Sequence, residues 1–156
     1  MKIVIGTDHA GLAQKEKIAS FLRESGYDVI DKGAHEYDEN DDYPDFVIPV
    51  AREVSRNPQG VKGIVLGGSG QGEAIVANRF PHVRAAVFYG EVHSLTNNVS
   101  NLELTRQHND SNILSIGSRF VTDDQALEAV REWLDVPFSN GERHKRRINK
   151  IERAHD

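Results

Sequence analysis

Short runs of aliphatic and β-branched residues alternate along the chain with longer stretches whose apolar positions recur every three or four residues. That alternation predicts a parallel sheet covered by helices. KIVIG (2–6) reads as a first strand, followed by a helix over 12–25 with Ile18, Phe21, Leu22 and Ser25 on one side and Gly26 as its stop. YDVIDKG (27–33) is a second strand. An acidic loop, HEYDENDDYPD, then leads into a second helix carrying Phe46, Val47, Val50 and Val54, which Pro49 is expected to disturb. After the NPQG turn, KGIVLG (62–67) is strand three, EAIVANR (73–79) opens a third helix and RAAVFYG (84–90) is strand four. Val92, Leu95, Val99 and Leu102 predict a helix over 91–107, with Asn97, Asn98 and Asn101 counting against it. NILSIG (112–117) is strand five. Thr122 and Gln125 form a capping box for a helix expected to bury Leu127, Val130 and Leu134, and Pro137 ends that segment.

The last predicted helix, about 141–155, has only Ile148 and Ile151 as strong apolar anchors. A helix that polar gains little by packing on its own subunit, so it is expected to reach a second one. No linker, repeat or low-complexity segment divides the chain, and residues 1–156 are read as one domain.

Composition narrows the chemistry. The chain has no cysteine, which excludes disulfides, thiolate metal sites and a cysteine nucleophile, and fits a reducing compartment. The opening MKIVIGTDHAG is too short in apolar residues for a signal peptide, and no run approaches a membrane span, so a cytoplasmic protein without membrane contact is expected. Nineteen Lys and Arg against 24 Asp and Glu give a formal charge of −5, which argues against nucleic acid as the main partner. The exception is the basic C-terminal stretch GERHKRRINKIERAHD. On charge alone it reads as a solvated helix face.

In open parallel sheets, ligands sit beyond the carboxyl ends of the strands. The segments GTDHAG (6–11), GGSGQG (67–72), RQHNDSN (106–112) and GSRF (117–120) are accordingly expected to gather Asp8, His9, Ser69, Glu73, His108, Asn109 and Arg119 on one rim. The glycine loop fails as a dinucleotide fingerprint, because Glu73 stands where a glycine is needed, and it lacks the Gly-Lys-Ser/Thr ending of a P-loop. It offers instead backbone N–H groups at a helix start, suited to an anionic oxygen, with the Ser69 hydroxyl beside them. A carboxylate next to such amides suits proton abstraction beside a carbonyl: Glu73 takes the proton and the amides hold the enediolate. The helix dipole lowers the pKa of Glu73 and burial raises it; sequence leaves the balance open. In isolation Glu73 reads equally as a helix-start residue placed for the dipole. The acidic loop fails as a calcium loop, because Tyr43 replaces the required glycine and Pro49 the terminal glutamate, and it is read as solvated. Asp8 and His9 are adjacent in sequence and no metal site is assigned to them. Arg119, Arg143 and Arg147 are the phosphate candidates, the last two sharing a helical face. His144 is read as pointing elsewhere.

With these residues assembled, the chain resembles the type B ribose-5-phosphate isomerase family, which includes galactose-6-phosphate isomerase subunits. GTDHAG, DYP (42–44), GGSGQGEAIVANR, RQHNDSNILSIGSR (106–119) and GERHKRR (141–147) carry the resemblance over nearly the whole chain. It implies an α/β fold with a doubly wound, Rossmann-like five-stranded parallel sheet, helices on both faces, and a C-terminal helix exchanged towards a dimer partner. Many members carry a cysteine base where this chain has Gly67. A second branch has glutamate at the position of Glu73, and this chain is similar to that branch. The resemblance then implies Glu73 as the base shuttling a proton between C1 and C2, with Ser69 and the amides around Gly70 and Gly72 holding the enediolate. Asp8, His9 and His108 are its candidates for opening the sugar ring, and Asn109 its sugar contact. Arg119 from one subunit and Arg143 and Arg147 from the other hold the phosphate, with His9 assisting. It implies no metal and no organic cofactor. The expected activity is interconversion of ribose 5-phosphate and ribulose 5-phosphate by a homodimer or a tetramer. The alternatives are a tetrose 4-phosphate, allose 6-phosphate or galactose 6-phosphate isomerase, or a non-catalytic phosphosugar-binding subunit.

Overall fold

The computed structural model describes residues 1–155; Asp156, the end of the expected domain, lies outside the described residues. Five strands form one parallel sheet: β1 (Lys2–Thr7), β2 (Asp28–Asp31), β3 (Val61–Gly67), β4 (Ala85–Phe88) and β5 (Ile113–Gly117), in the order β2-β1-β3-β5-β4. Six helices connect or succeed them: α1 (Leu12–Glu24), α2 (Tyr43–Arg56), α3 (Gln71–Ala77), α4 (Asn101–Asn109), α5 (Asp123–Asp135) and α6 (Glu142–Glu152).

Strand alternation sends side chains to two cores. Ile3, Ile5, Ile64, Leu66, Leu114 and Ile116 meet α1, α4 and α5 on one face, while Val4, Val65 and Ile113 meet α2 and α3 on the other. The sequence signals for both layers hold for most elements. Thr122 and Gln125 form the expected capping box at α5. That helix buries Ala126, Ala129, Val130 and Trp133, however, and leaves Leu127 and Leu134 half-buried, because the sheet lies against the stripe of small residues that ends in the tryptophan. Trp133 has no exposed surface, and its indole N–H donates to Ser111 Oγ at 2.8 Å.

Two expectations are corrected. Helix α2 runs through Pro49 unbroken; the hydrogen bond that proline forgoes is to the carbonyl of Asp45, an exposed residue whose oxygen water can satisfy. The predicted helix over 91–107 exists only as α4. Residues 91–99 form a loop closed by a bridge between His93 and Ser100, with Asn98 in the left-handed region. The apparent apolar period of Val92, Leu95 and Val99 has no surface to cover, and Leu95 is fully exposed. Asn101 binds the loop back, accepting from the Val92 N–H and donating to the Gly90 carbonyl, and Ser100 caps α4.

Trp133→Phe keeps most of the buried area and removes one hydrogen bond, so it should cost about 1–2 kcal/mol of unfolding free energy. Trp133→Ala also opens a cavity and should cost about 3–5 kcal/mol. Denaturant unfolding of the two variants beside the parent chain checks both values.

Candidate active site

Strand order reverses between β1 and β3: the chain leaves β1 for β2 on one side and returns to β3 on the other. The loops leaving β1 and β3 diverge there, and the crevice between them is where a ligand finds backbone groups not committed to the sheet. The crevice is lined by Asp8 and His9 after β1, by Tyr43, by Gly68, Ser69, Gly72 and Glu73 after β3, and by Arg119 and Phe120 after β5.

The glycine loop is held from beneath. Ser115, in the middle of β5, donates its hydroxyl to the Gly70 carbonyl at 2.6 Å, and the N–H groups of Ser118 and Arg119 donate to the carbonyls of Gly67 and Gly68. Gly70 has φ of 75°, a conformation that favours glycine, and it starts α3. With the carbonyls turned down towards β5, the N–H groups of Ser69, Gly70 and Gly72 have no acceptor among the described residues. The Tyr43 ring lies against Gly72 so closely that a Cβ there would stand 2.7 Å from Cζ. The Arg119 guanidinium lies over Gly68.

Glu73 is only 4% exposed. Its carboxylate fills the space that a side chain at position 67 would need, and a Cβ built on Gly67 would collide with both the carboxyl carbon and Oε1. Glycine at 67 and glutamate at 73 are therefore steric complements. Burial raises the Glu73 pKa above its ordinary value; its own backbone N–H opposes this, and the nearby Asp8 charge adds to the rise. Burial thus wins over the helix start, a balance the sequence leaves open. Asp8 is raised too, chiefly by burial, against the Ala10 N–H that it accepts at 3.0 Å. His9 Nδ1 meets Asp41 Oδ1 at 2.6 Å, which with Asp8 raises the histidine's pKa. Asp8, His9 and Asp41 bring ligand-type atoms within 4.8 Å of one another, but Nδ1 is taken up by Asp41. That hydrogen bond accounts for the cluster.

Of the expected rim, Asp8, His9, Ser69, Glu73 and Arg119 do converge, with Gly72 beside them. His108 and Asn109 do not. They end α4 and precede β5, and in a parallel sheet the segment before a strand lies at its amino edge, opposite the glycine loop. Neighbouring bonds fix them there: the Arg84 N–H donates to Asn112 Oδ1 at 2.8 Å, and Arg84 Nε to the Asn109 carbonyl at 3.0 Å, just before β4 and β5 begin. The last helix shares this edge. Glu152 of α6 pairs with Arg84 at 2.7 Å and with His82 at 2.7 Å, and Ser139 Oγ donates to the Gln107 carbonyl at 2.6 Å. His144, expected to point elsewhere on the helix than Arg143, stacks on His108, ring centroids 4.2 Å apart and planes 10° from parallel. Arg143 and Arg147 are exposed beside them, and α6 buries no residue. One chain therefore carries the two groups of expected site residues at opposite edges of its sheet.

The sequence does not single out Tyr43 as a wall of the crevice, Ser115 as the support beneath its glycine loop, or Asp41 as the partner of His9. Ser115 interrupts an apolar strand, which is a usable signal. Asp41 is one acid among several in a loop read as solvated, and nothing in its spacing singles it out.

A crevice at a strand-order reversal, offering free amides, a guanidinium and a protonatable buried carboxylate, defines a doubly wound α/β protein for small anionic ligands. Within that class the chain belongs to the ribose/galactose isomerase family, whose sequence profile its residues 3–151 match. It is 40% identical over 159 residues to ribose-5-phosphate isomerase B of Mycobacterium tuberculosis, covering 100% of this chain and 93% of that protein. It is 39% identical over 150 residues to the Escherichia coli protein of the same name, covering 96% and 93%. The crystal structure of ribose-5-phosphate isomerase B from Mycoplasma genitalium with bound ribulose-5-phosphate superposes with a TM-score of 0.89 at 39% identity, covering 99% of this chain and 95% of that one. The Clostridium thermocellum protein superposes at 0.86 with 43% identity, covering 99% and 97%.

The Gly67–Glu73 contact has two measurable consequences. Gly67→Ala should expel the carboxylate from its seat and abolish sugar-phosphate isomerisation, while circular dichroism shows an intact fold. Glu73→Gln should be more stable than the parent at pH 7.5. The sign comes from the raised pKa: the folded state holds the Glu73 proton more tightly than the unfolded chain, so stability falls as pH rises from the unfolded to the folded pKa and stays lowered above it. Thermal melts at pH 4 and pH 7.5 should show the difference only at the higher pH.

Proposed function

We propose that the chain is an aldose–ketose isomerase interconverting D-ribose 5-phosphate and D-ribulose 5-phosphate through an enediolate, with Glu73 as the proton-shuttling base. The observation that carries this reading is the Glu73 carboxylate itself, buried against Gly67 beside unpaired amides. A base that carries a proton from C2 to C1 must give it back, so a pKa raised by burial suits it better than that of an exposed carboxylate. The N–H groups of Ser69, Gly70 and Gly72, with the Ser69 hydroxyl, face the developing oxyanion and donate without rearrangement. Arg119 and His9 supply positive charge for the phosphate. The names of the relatives, and the ribulose-5-phosphate bound to the Mycoplasma genitalium protein, support the pentose. No step calls for a metal or an organic cofactor.

The second group belongs to the same proposal. A second copy brings His108 and Asn109 to the sugar and Arg143 and Arg147 to the phosphate, so residues 1–156 act as one catalytic domain whose last helix serves its partner. Among Asp8, His9 and His108, ring opening falls to His108 with Asp8 across the sugar, because His9 is engaged by Asp41. Among the described residues no helix is long and apolar enough to cross a membrane, and a cytoplasmic setting among sugar phosphates is part of this reading.

Ribulose 5-phosphate formation by the purified chain tests the first part. The parent should turn over, and Glu73→Gln should lose about three orders of magnitude or more in kcat. Equal activity of the two would place the base elsewhere, and a clear preference for a four- or six-carbon aldose phosphate would remove the pentose. Subunit mixing tests the second part. Glu73→Gln and His108→Asn variants, each inactive alone, should regain about a quarter of the parental activity when refolded together, because half the dimers are mixed and each carries one intact site. No recovery would show that the two residues serve sites within one chain.

A further inference from the structure

The loop read as solvated sends one side chain inward. Asp41 accepts two hydrogen bonds on the same oxygen, from His9 Nδ1 at 2.6 Å and from the His9 backbone N–H at 3.2 Å. Its side chain is only 10% exposed, and its other oxygen is buried without a partner among the described residues. A carboxylate can only accept, so Nδ1 carries the hydrogen of this bond and Nε2 is the free nitrogen of the ring. A buried carboxylate whose one charged neighbour in hydrogen-bond contact is an imidazole favours the imidazolium. Tyr37 closes the arrangement, its ring edge-on to His9 with centroids 5.9 Å apart.

We infer that Asp41 is a positioning residue for the phosphate end of the substrate: it fixes the His9 ring, keeps it charged, and turns Nε2–H into a second cationic donor beside Arg119. This rests on the proposed isomerase reading for the identity of the anion, but not for the dyad itself. The groups facing His9 are Asp8, Asp41, Tyr37, Glu73 and Arg119. Arg119 opposes the charge on His9, so without Asp41 two cations would stand side by side and the histidine would release its proton first. Asp8, whose carboxylate lies within 4.8 Å of His9 and Asp41, also favours the imidazolium, but its hydrogen bond is to the Ala10 N–H and not to the His9 ring, so only Asp41 fixes that ring. Asp41 therefore acts through His9 and touches no reacting atom.

Asp41→Asn separates this role from a merely structural one. At pH 7.5 the variant should raise KM for ribose 5-phosphate about tenfold, the order expected for a lost charge-assisted hydrogen bond, with kcat within about twofold of the parent. Inhibition by inorganic phosphate should weaken in parallel. The KM gap should narrow as pH falls and His9 becomes charged in both proteins, and widen as pH rises through the range where only the parent's His9 keeps its proton. NMR titration of the labelled His9 ring should give a pKa above the free-histidine value in the parent and a lower one in Asp41→Asn. In a His9→Gln background, Asp41→Asn should change KM no further. An unchanged His9 titration, an unchanged KM, or an equal effect of Asp41→Asn with and without His9 would overturn the inference. Should Asp41→Asn fail to fold, the parental titration still decides: His9 titrating at or below the free value, or failing to shift upward with inorganic phosphate, refutes it. A parent chain that does not isomerise ribose 5-phosphate would sink the functional reading alone, since the His9 titration and its response to phosphate are read without turnover.

Discussion

Every strand of the sheet runs in one direction, and that single constraint sorts the chemistry of the molecule. Residues just after a strand lie at one edge of the sheet, and residues just before a strand lie at the other. Asp8, Ser69, Glu73 and Arg119 come after β1, β3 and β5; His108 and Asn109 precede β5, and α6 packs beside them. The chain thus divides its polar machinery between two ends of the same sheet. The Glu73 carboxylate with its amides at one end cannot meet His108, Arg143 and Arg147 at the other within one copy. The polar last helix fits this division: it is fastened to its own chain by Glu152, Arg84 and His82 at the amino edge, so it presents Arg143 and Arg147 without being buried itself. Ion pairs at its far end hold in place a helix that buries no apolar side chain.

The second constraint is volume. A buried carboxylate is costly, and here it is tolerated because position 67 has no side chain and the loop around it is anchored from below by Ser115 and the residues after β5. Burial that raises the Glu73 pKa is unfavourable for the fold and suits the proton shuttle proposed for this residue. The Asp8 charge adds to the cost of ionising Glu73, and Asp8 is itself raised by burial, whereas Asp41 faces a histidine. The crevice therefore combines two carboxylates that burial shifts towards the proton-bound form with a histidine whose charged form Asp41 favours, and Asp8 stands within 4.8 Å of both His9 and Asp41.

The layers are legible in the sequence because their physics is local. Apolar strands with residues such as Ile3 and Ile5 alternating against Val4, and a capping box at Thr122, each depend on a few neighbouring residues. The helix expected over 91–107 is a misreading because an apolar period says where side chains would point, not whether a surface exists to receive them. His108 is misplaced by counting it with the residues that come after strands, although it stands before β5; chain direction alone contains the correction. The stacking of His144 on His108, by contrast, depends on where α6 docks, and no spacing within α6 encodes that.

Asp41 marks where pattern reading stops and geometry begins. HEYDENDDYPD offers six acidic residues in eleven positions, and a composition of that kind reads as solvent-facing whichever of them turns inward. Asp41 is selected by the start of α2: Tyr43 must lie against Gly72, so the two residues before it lead the loop across the mouth of the β1 turn, where the His9 N–H and ring wait. The same tyrosine that shields the glycine loop thereby sets the carboxylate on the histidine. Packing of one aromatic ring and placement of one charge are a single event in this fold, and the acidic loop is long enough to make that crossing while leaving its other carboxylates in water.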